Sequence, residues 1–127
     1  RIISLVFIDL NQLKYVNDTY GHNSGDQYLQ AFSDTLKRGI TSNSVLYRIG
    51  GDEFVVVFVD VNIKEIESSM KKVLENLVYA TKPIGFKGSF SYGLALSSEE
   101  KIKNTDDLLA LADSRMYEMK KAFSNKA

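Results

Sequence analysis

Apolar and polar residues follow one another along the chain in blocks that predict four strands and four helices. Near-continuous apolar runs are typical of strands covered on both faces, and apolar residues at helical spacing indicate helices with one buried side. In chain order, the pattern predicts a strand over 2–8, helices over 13–20 and from Ser24 to about Gly39, strands over 45–49 and 54–61, a helix over 63–79, a strand over 89–96 and a helix over 106–123.

The order of these elements, without the short first helix, is βαββαβ. Right-handed crossovers then predict an α+β fold with a ferredoxin-like core, an antiparallel sheet with flanking helices. The first strand lies beside the hairpin in that topology. Asp9, at the end of the first strand, should therefore lie near the turn Gly50-Gly51 and near Asp52 and Glu53.

Local signals predict where the chain turns and where helices begin. Gly50 and Gly51 separate two strand-like runs, which indicates a tight hairpin turn in which glycine supplies a positive φ. Ser24 and Gln27 have the Ser-x-x-Gln spacing of a capping box. Thr105 is the expected N-cap of the last helix.

Composition limits the classes of function. The 127 residues carry 16 basic and 16 acidic side chains and no net charge, which argues against non-specific binding to nucleic acid or to anionic membranes. The absence of cysteine excludes disulfides, thiolate zinc sites and a cysteine nucleophile, and a single histidine excludes a histidine-rich metal site. No apolar run is long enough to span a membrane.

Asp9, Asp52 and Glu53 form a carboxylate cluster with several possible uses. All-oxygen ligands suit Mg²⁺ or Mn²⁺, and two such ions can support an in-line phosphoryl transfer. A general acid and base pair, as in glycosidases, is a second possibility. A third is a plain hairpin with solvated acids. The glycine turn favours phosphoryl transfer because backbone can approach phosphate closely there.

Gly50-Gly51-Asp52-Glu53-Phe54 matches the name-giving motif of the GGDEF domains, the diguanylate cyclases. Four further segments resemble motifs of that family in the same order, namely 7–18 (FIDLNQLKYVND), 19–26 (TYGHNSGD), 91–95 (SYGLA) and 112–120 (ADSRMYEMK). The motifs extend over nearly the whole chain, so their joint specificity is high although each one alone is weak. The resemblance implies the palm-like arrangement of nucleotidyl cyclases and polymerases.

The resemblance also implies an enzyme that joins two GTP molecules into cyclic di-GMP and releases two pyrophosphates. Two Mg²⁺ or Mn²⁺ ions per active site are implied. Asp9, the Leu10 carbonyl and Asp52 match metal ligands. Asp52 and Glu53 match the catalytic acids, and Glu53 is the one expected to bind the second ion or to help deprotonate the attacking 3′-hydroxyl.

Other matched positions are implied to bind substrate. Asn17 and Asp26 match the guanine-binding residues, and a carboxylate suits the two adjacent donors on the Watson–Crick edge of guanine. The remaining candidates for substrate contact are Lys14 and Lys120, residues Asn11, Gln12 and Leu13, and the glycines Gly50 and Gly51. A first-turn acid favoured by the helix dipole is the alternative for Asp26, and solvated helix charges are the alternative for the two lysines.

The symmetry of the product implies a partner. Because cyclic di-GMP has two equivalent linkages and each domain offers one guanine site, we expect a transient homodimer during catalysis. We expect residues 1–127 to be a single GGDEF domain, trimmed from a longer protein with an upstream sensor domain. The domain should be cytoplasmic, with no nucleic-acid partner and no membrane insertion of its own, although the full-length protein could be membrane-anchored.

Several positions depart from the family pattern, among them Leu13, where the family has Phe. Asn11 replaces the second acid of the first motif, which removes a charge near the metals. Thr41-Ser42-Asn43-Ser44 stands where many members have Arg-x-x-Asp, so we expect no product inhibition through that site. Ser124 replaces a basic residue, and Lys126 is the nearest substitute. These departures leave two alternatives open, a catalytically degenerate GGDEF domain that binds GTP as a regulatory or interaction module, and a ferredoxin-like scaffold without a nucleotide site.

Overall fold

The structure, a computed structural model, describes residues 1–40 and 43–126, and for Asn125 and Lys126 only the backbone. Thr41 and Ser42, on which the expectation about product inhibition partly rests, and the side chain of Lys126 lie outside the described residues. The elements in chain order are β1 (Ile3–Leu10), α1 (Leu13–Tyr20), α2 (His22–Gly39), β2 (Ser44–Arg48), β3 (Glu53–Val59), α3 (Ile63–Thr81), a 3₁₀ turn (Lys82–Ile84), β4 (Phe90–Leu96) and α4 (Thr105–Lys126).

Internal contacts divide the described chain into two compact units, and the first contains the sheet and α4. The strand order is β2-β3-β1-β4. The β1–β3 pair is antiparallel with Ile3 opposite Val59 and Asp9 opposite Glu53, and β2 pairs antiparallel with β3. This order confirms the predicted ferredoxin-like sheet.

The core of the first unit lies where α4 covers one face of the sheet. The cluster consists of Leu5, Phe7, Val55, Ala95, Leu108, Ala112 and Met116. Each large apolar side chain buried in this way stabilises the fold by roughly 1.5–3 kcal/mol. Val6 and Ile8 on the opposite face of β1 are fully buried too, which agrees with the prediction of a strand covered on both sides.

The second unit contains α1, α2, α3 and the 3₁₀ turn. Its buried side chains follow helical spacing along α2 and α3, and the main ones are Val16, Tyr28, Phe32, Leu36, Ile66, Met70, Val73 and Leu77. A Cβ on Gly39 would collide with Val73, so α2 and α3 approach closely at this glycine. Within the described residues, no helix is both long and apolar enough to cross a bilayer.

Two predicted helix starts are wrong. Helix α2 begins at His22 with Gly21 as its N-cap at φ 95°, and no side chain caps it, so Ser24 and Gln27 lie inside the helix. Gly21 has already turned the chain by that point. At α4, the Asn104 side-chain oxygen accepts the Asp107 N–H at 2.8 Å, so Asn104 takes the capping role predicted for Thr105.

Candidate active site

Three acidic side chains gather at one end of the sheet in the first unit. Asp9 is the second-last residue of β1, and it lies directly opposite Glu53, the first residue of β3. Alternation along the strands places Asp9 and Glu53 on the face that α4 covers, together with Phe7 and Val55. Asp52 comes immediately before β3.

Helix α4 brings a lysine to this cluster. The Lys120 ammonium lies 2.7 Å from Oδ2 of Asp9, and the two side chains are 31% and 13% exposed. The other carboxylate oxygen of Asp9, Oδ1, is buried and has no hydrogen-bond partner. One carboxylate oxygen of Asp9 therefore pairs with the Lys120 ammonium, and the other can accept a bond from a further ligand.

The electrostatics of Asp9 reflect both its burial and its neighbours. The pKa of Asp9 is raised to about 6, chiefly by burial and to a smaller extent by the negative charges of Asp52 and Glu53. The hydrogen bond and the positive charge of Lys120 act in the opposite direction. A second cation at this site would favour the charged form of the carboxyl group.

The residues fit a hard cation that takes only part of its coordination shell from protein. Within residues 1–40 and 43–126, no three acidic or histidine side chains are arranged so that they could hold a metal ion among themselves. Mg²⁺ normally binds one or two carboxylates and completes its shell with waters and substrate phosphates. The unpartnered Oδ1 of Asp9, with Asp52 and Glu53 near it, suits that mode of binding. Leu10, whose backbone carbonyl is a predicted metal ligand, is the last residue of β1.

The hairpin that carries Asp52 is not built as predicted. The described glycines with positive φ are Gly21 and Gly85, so the turn at Gly50 and Gly51 does not use glycine's left-handed conformation. Instead, the Ile49 and Gly50 N–H groups both donate to the Glu53 carbonyl, at 3.0 and 3.3 Å.

Arg48 holds the same turn from the side. Its guanidinium donates to the Gly50 carbonyl at 3.2 Å and to the Gly51 carbonyl at 2.7 Å. A Cβ on Gly50 would lie 2.7 Å from Oε1 of Glu53, whereas one on Gly51 would meet nothing within 4 Å. A side chain at position 50 would therefore displace the Glu53 carboxylate, a catalytic candidate.

In the second unit, Asn17, one of the two predicted guanine-binding residues, packs against Gly25. A Cβ on Gly25 would overlap Oδ1 of Asn17, so the Asn17 carboxamide rests against the residue that precedes Asp26. Asp26 is exposed, and α2 has no acid in its first turn. The alternative of Asp26 as a first-turn acid is therefore wrong, because α2 begins earlier than predicted.

The structure places the two candidate lysines differently. Lys14 is exposed on α1, where its side chain is 92% accessible and pairs with Asp18 at 3.0 Å. This is the geometry of an ordinary solvated i,i+4 pair. Lys120, in contrast, is partly buried among the acids. Of the two, Lys120 is the one that belongs to a cluster of candidate residues.

Asn11 faces into the protein. Its N–H donates to the Ser89 carbonyl at 3.0 Å, its side-chain amide donates to the Ser89 hydroxyl at 3.0 Å, and the residue is 2% exposed. The substrate contact predicted for Asn11 stays a prediction, and its N–H and side-chain amide donate to Ser89 in this structure. The replacement of the family's acid at this position thus supplies a buried hydrogen bond.

Gln12 and Leu13 remain as candidates for phosphate contact. Gln12 adopts the left-handed conformation, with φ 63° and ψ 28°, and turns the chain into α1. The N–H of Leu13, the first residue of α1, has no acceptor within the helix. The sequence pattern does not single out Tyr28 and Ser89, which contact the backbone behind this loop, because a tyrosine in a helix and a serine before a strand carry no distinctive signal.

Comparison with known proteins agrees with these features. The sequence profile "Diguanylate cyclase, GGDEF domain" matches residues 1–126. Diguanylate cyclase DgcS of Shewanella oneidensis is 34% identical over 125 residues, which cover 97% of this chain and 40% of that protein. Diguanylate cyclase DgcP of Escherichia coli is 33% identical over 122 residues, covering 94% of this chain and 36% of that protein. The chain thus spans less than half the length of these two relatives.

A solved structure gives the same fold. The GGDEF domain of DgcB from Caulobacter crescentus, determined in complex with c-di-GMP, superimposes with a TM-score of 0.82 at 22% identity. The match covers 95% of this chain and 73% of that one. With a family profile that matches all but the last residue, the chain belongs to the GGDEF domain family.

Proposed function

We propose that the protein is a diguanylate cyclase that condenses two GTP into cyclic di-GMP, by phosphoryl transfer assisted by two divalent cations. The observation that carries the proposal is the cluster of Asp9, Asp52 and Glu53 with Lys120 at the end of the sheet. Family membership supports the same chemistry. We further propose that residues 1–127 form one GGDEF domain and that the full protein carries a sensor domain upstream of it. The domain is proposed to lie in the cytoplasm.

The three acids have different proposed roles, cation binding for Asp9 and Asp52 and proton transfer for Glu53. Asp9 and Asp52, with the Leu10 carbonyl, would hold the cations, which would supply polarisation of the α-phosphate and neutralisation of developing charge. Glu53 takes the proton of the attacking 3′-hydroxyl or assists at the second cation. The 3′-oxygen forms a bond to the α-phosphorus, and the bond from phosphorus to the leaving pyrophosphate breaks. Lys120 supplies positive charge to the phosphates.

Asn17 and Asp26 are proposed to select guanine over adenine. A carboxylate accepts from the two adjacent donors of guanine, whereas adenine offers a donor beside an acceptor and leaves one carboxylate oxygen poorly paired. The packing of Asn17 against Gly25, the residue before Asp26, supports the assignment. Replacing GTP by ATP should therefore abolish product formation.

The experiment is incubation of the chain with GTP and Mg²⁺ followed by detection of cyclic di-GMP. Asp52→Ala should reduce the rate by at least about 10³-fold, since it removes a cation ligand, while Asp113→Ala, an exposed acid on α4, should leave it unchanged. A chain that binds GTP but gives no product would support the degenerate regulatory domain. A chain that does not bind GTP at all would refute both assignments.

A further inference from the structure

A phenolic hydroxyl is inserted between two backbone segments of the second unit. Tyr28, on α2, is 1% exposed. Its hydroxyl lies 2.8 Å from the Asn11 carbonyl oxygen and 3.0 Å from the Ser89 carbonyl oxygen, and it accepts the Ser89 N–H at 3.0 Å. The ring is fixed by an edge-on contact with Phe86, at 4.7 Å between centroids.

This arrangement replaces part of a strand-like pairing. At the hydrogen-bonded positions of an antiparallel pair, the two opposed residues exchange both backbone hydrogen bonds. Here the Asn11 N–H donates directly to Ser89, at 3.0 Å, but the Ser89 N–H reaches the Asn11 carbonyl through the hydroxyl of Tyr28. The hydroxyl therefore bridges the Ser89 N–H and the Asn11 carbonyl, with hydrogen bonds of 3.0 and 2.8 Å.

The loop that depends on this bridge is the one with the candidate phosphate contacts. Gln12 follows Asn11 directly in the left-handed conformation, and α1 begins at Leu13. A non-glycine residue in that conformation is held there by its surroundings. Burial raises the pKa of Tyr28 to about 12, so the hydroxyl keeps its proton at any working pH.

We propose that Tyr28 is a positioning residue for the nucleotide, which sets the direction of the Gln12 and Leu13 N–H groups by bridging the backbone of Asn11 to that of Ser89. The proposal rests on the proposed function, because those N–H groups are assigned to the phosphates of GTP. It predicts that the hydroxyl matters for binding more than for folding.

Tyr28→Phe tests this because it removes only the hydroxyl and keeps the buried ring. Without the hydroxyl, the Ser89 N–H can close onto the Asn11 carbonyl directly, which limits the cost in stability and redirects the loop. Tyr20→Phe is the matched control, since Tyr20 lies in the same unit, also stacks near Phe86, and bonds the Gly85 carbonyl at 3.4 Å instead of the loop.

Three measurements are compared: the Kd for GTP with Mg²⁺, the urea midpoint of unfolding, and the amide ¹H–¹⁵N shifts of Gln12 and Leu13 in the protein alone. We expect the Kd of Y28F to rise about 10-fold, equivalent to about 1.4 kcal/mol, with shifted amides and a nearly unchanged midpoint. KM should rise more than kcat falls. Y20F should match the wild type in all of these.

Each other outcome decides against the proposal. An unchanged Kd with unchanged amide shifts, or a lowered midpoint with an unchanged Kd, makes Tyr28 an ordinary core residue. A Y28F chain that does not fold overturns the positioning role in favour of a purely structural one. If the wild type itself does not bind GTP, the proposed function falls and the inference falls with it, whereas failure of the inference alone leaves wild-type binding intact.

Discussion

At Asp9, a carboxylate proposed to hold a cation lies where burial disfavours its charge. Its pKa is raised to about 6 in the fold, above the ordinary value of 3.8. The folded state therefore binds this proton more tightly than the unfolded chain does. Stability is unaffected by the shift below about pH 4, falls as the pH rises toward 6, and carries the full penalty above that.

Asp9→Asn should therefore stabilise the chain at pH 7 while it abolishes cyclic di-GMP synthesis. We expect a gain on the order of 1–3 kcal/mol at pH 7 that vanishes below pH 4. Urea unfolding at the two pH values measures it, with Asp113→Asn on the exposed side of α4 as the control. A variant less stable than the wild type at pH 7 would show that the Lys120 pair outweighs burial.

Gly25 lies against the side chain of Asn17. A Cβ there would overlap the Asn17 side chain. Gly25→Ala should displace Asn17 and raise the Kd for GTP about 10-fold or more, even though alanine favours a helix over glycine by about 1 kcal/mol. Titration with GTP and Mg²⁺ checks this against Ser24→Ala one residue earlier. Unchanged affinity would remove Asn17 from the guanine site.

The sequence predicts which residue types form the site better than it predicts what each one touches. The proximity of Asp9 to Glu53 can be predicted from the strand order, because β1 pairs with β3 and these two residues lie opposite each other. Asp52 directly precedes Glu53 in the chain. The inward direction of Asn11 does not follow from sequence, because it depends on Ser89, which lies 78 residues away along the chain.

The hairpin between β2 and β3 is held by hydrogen bonds from Arg48, and its glycines do not adopt a positive φ. Arg48 donates to both glycine carbonyls of the turn. Arg48→Lys keeps the charge and loses this two-point contact, since a lysine ammonium lacks the planar fork. We expect the rate of cyclic di-GMP synthesis to fall by about 10-fold, or 1.4 kcal/mol, with little change in unfolding free energy. A wild-type rate in the lysine variant would contradict this role.

The contact between β4 and α4 sets the position of Lys120. A Cβ on Gly93 would collide with the backbone of Ala112 and Met116 and lie 2.8 Å from the Arg115 Cβ. Gly93→Ala should destabilise the chain by about 1–3 kcal/mol or more, measured by urea unfolding. Gly51→Ala is the control, because nothing lies within 4 Å of its added Cβ. Equal stability of the two variants would mean that α4 can shift freely.

Apolar periodicity predicts the elements well because burial decides them. All eight appear in order, and α1 has the predicted bounds, Leu13–Tyr20. The starts of α2 and α4 could not be predicted from capping motifs, because Gly21 and Asn104 provide the actual caps. In α2, Tyr28 is buried and the adjacent Leu29 is half-buried, and periodicity alone does not distinguish these neighbouring positions.

In the reaction that we propose, one chain is half of a catalytic unit. Because cyclic di-GMP has two equivalent linkages, we expect two GTP-loaded copies to face each other about a two-fold axis. The rate per chain must then depend on how often two copies meet. A chain that completed the reaction alone would turn over at a rate independent of its concentration.

The most direct measurement is the initial rate of cyclic di-GMP formation per chain, at saturating GTP and Mg²⁺, over a hundredfold range of protein concentration. We expect the rate per chain to rise in proportion to concentration until the dimer is saturated. Mixing with an excess of Asp52→Ala chains should lower it, because mixed pairs have one defective half. A constant rate per chain, or no product at any concentration while GTP is bound, would contradict the account.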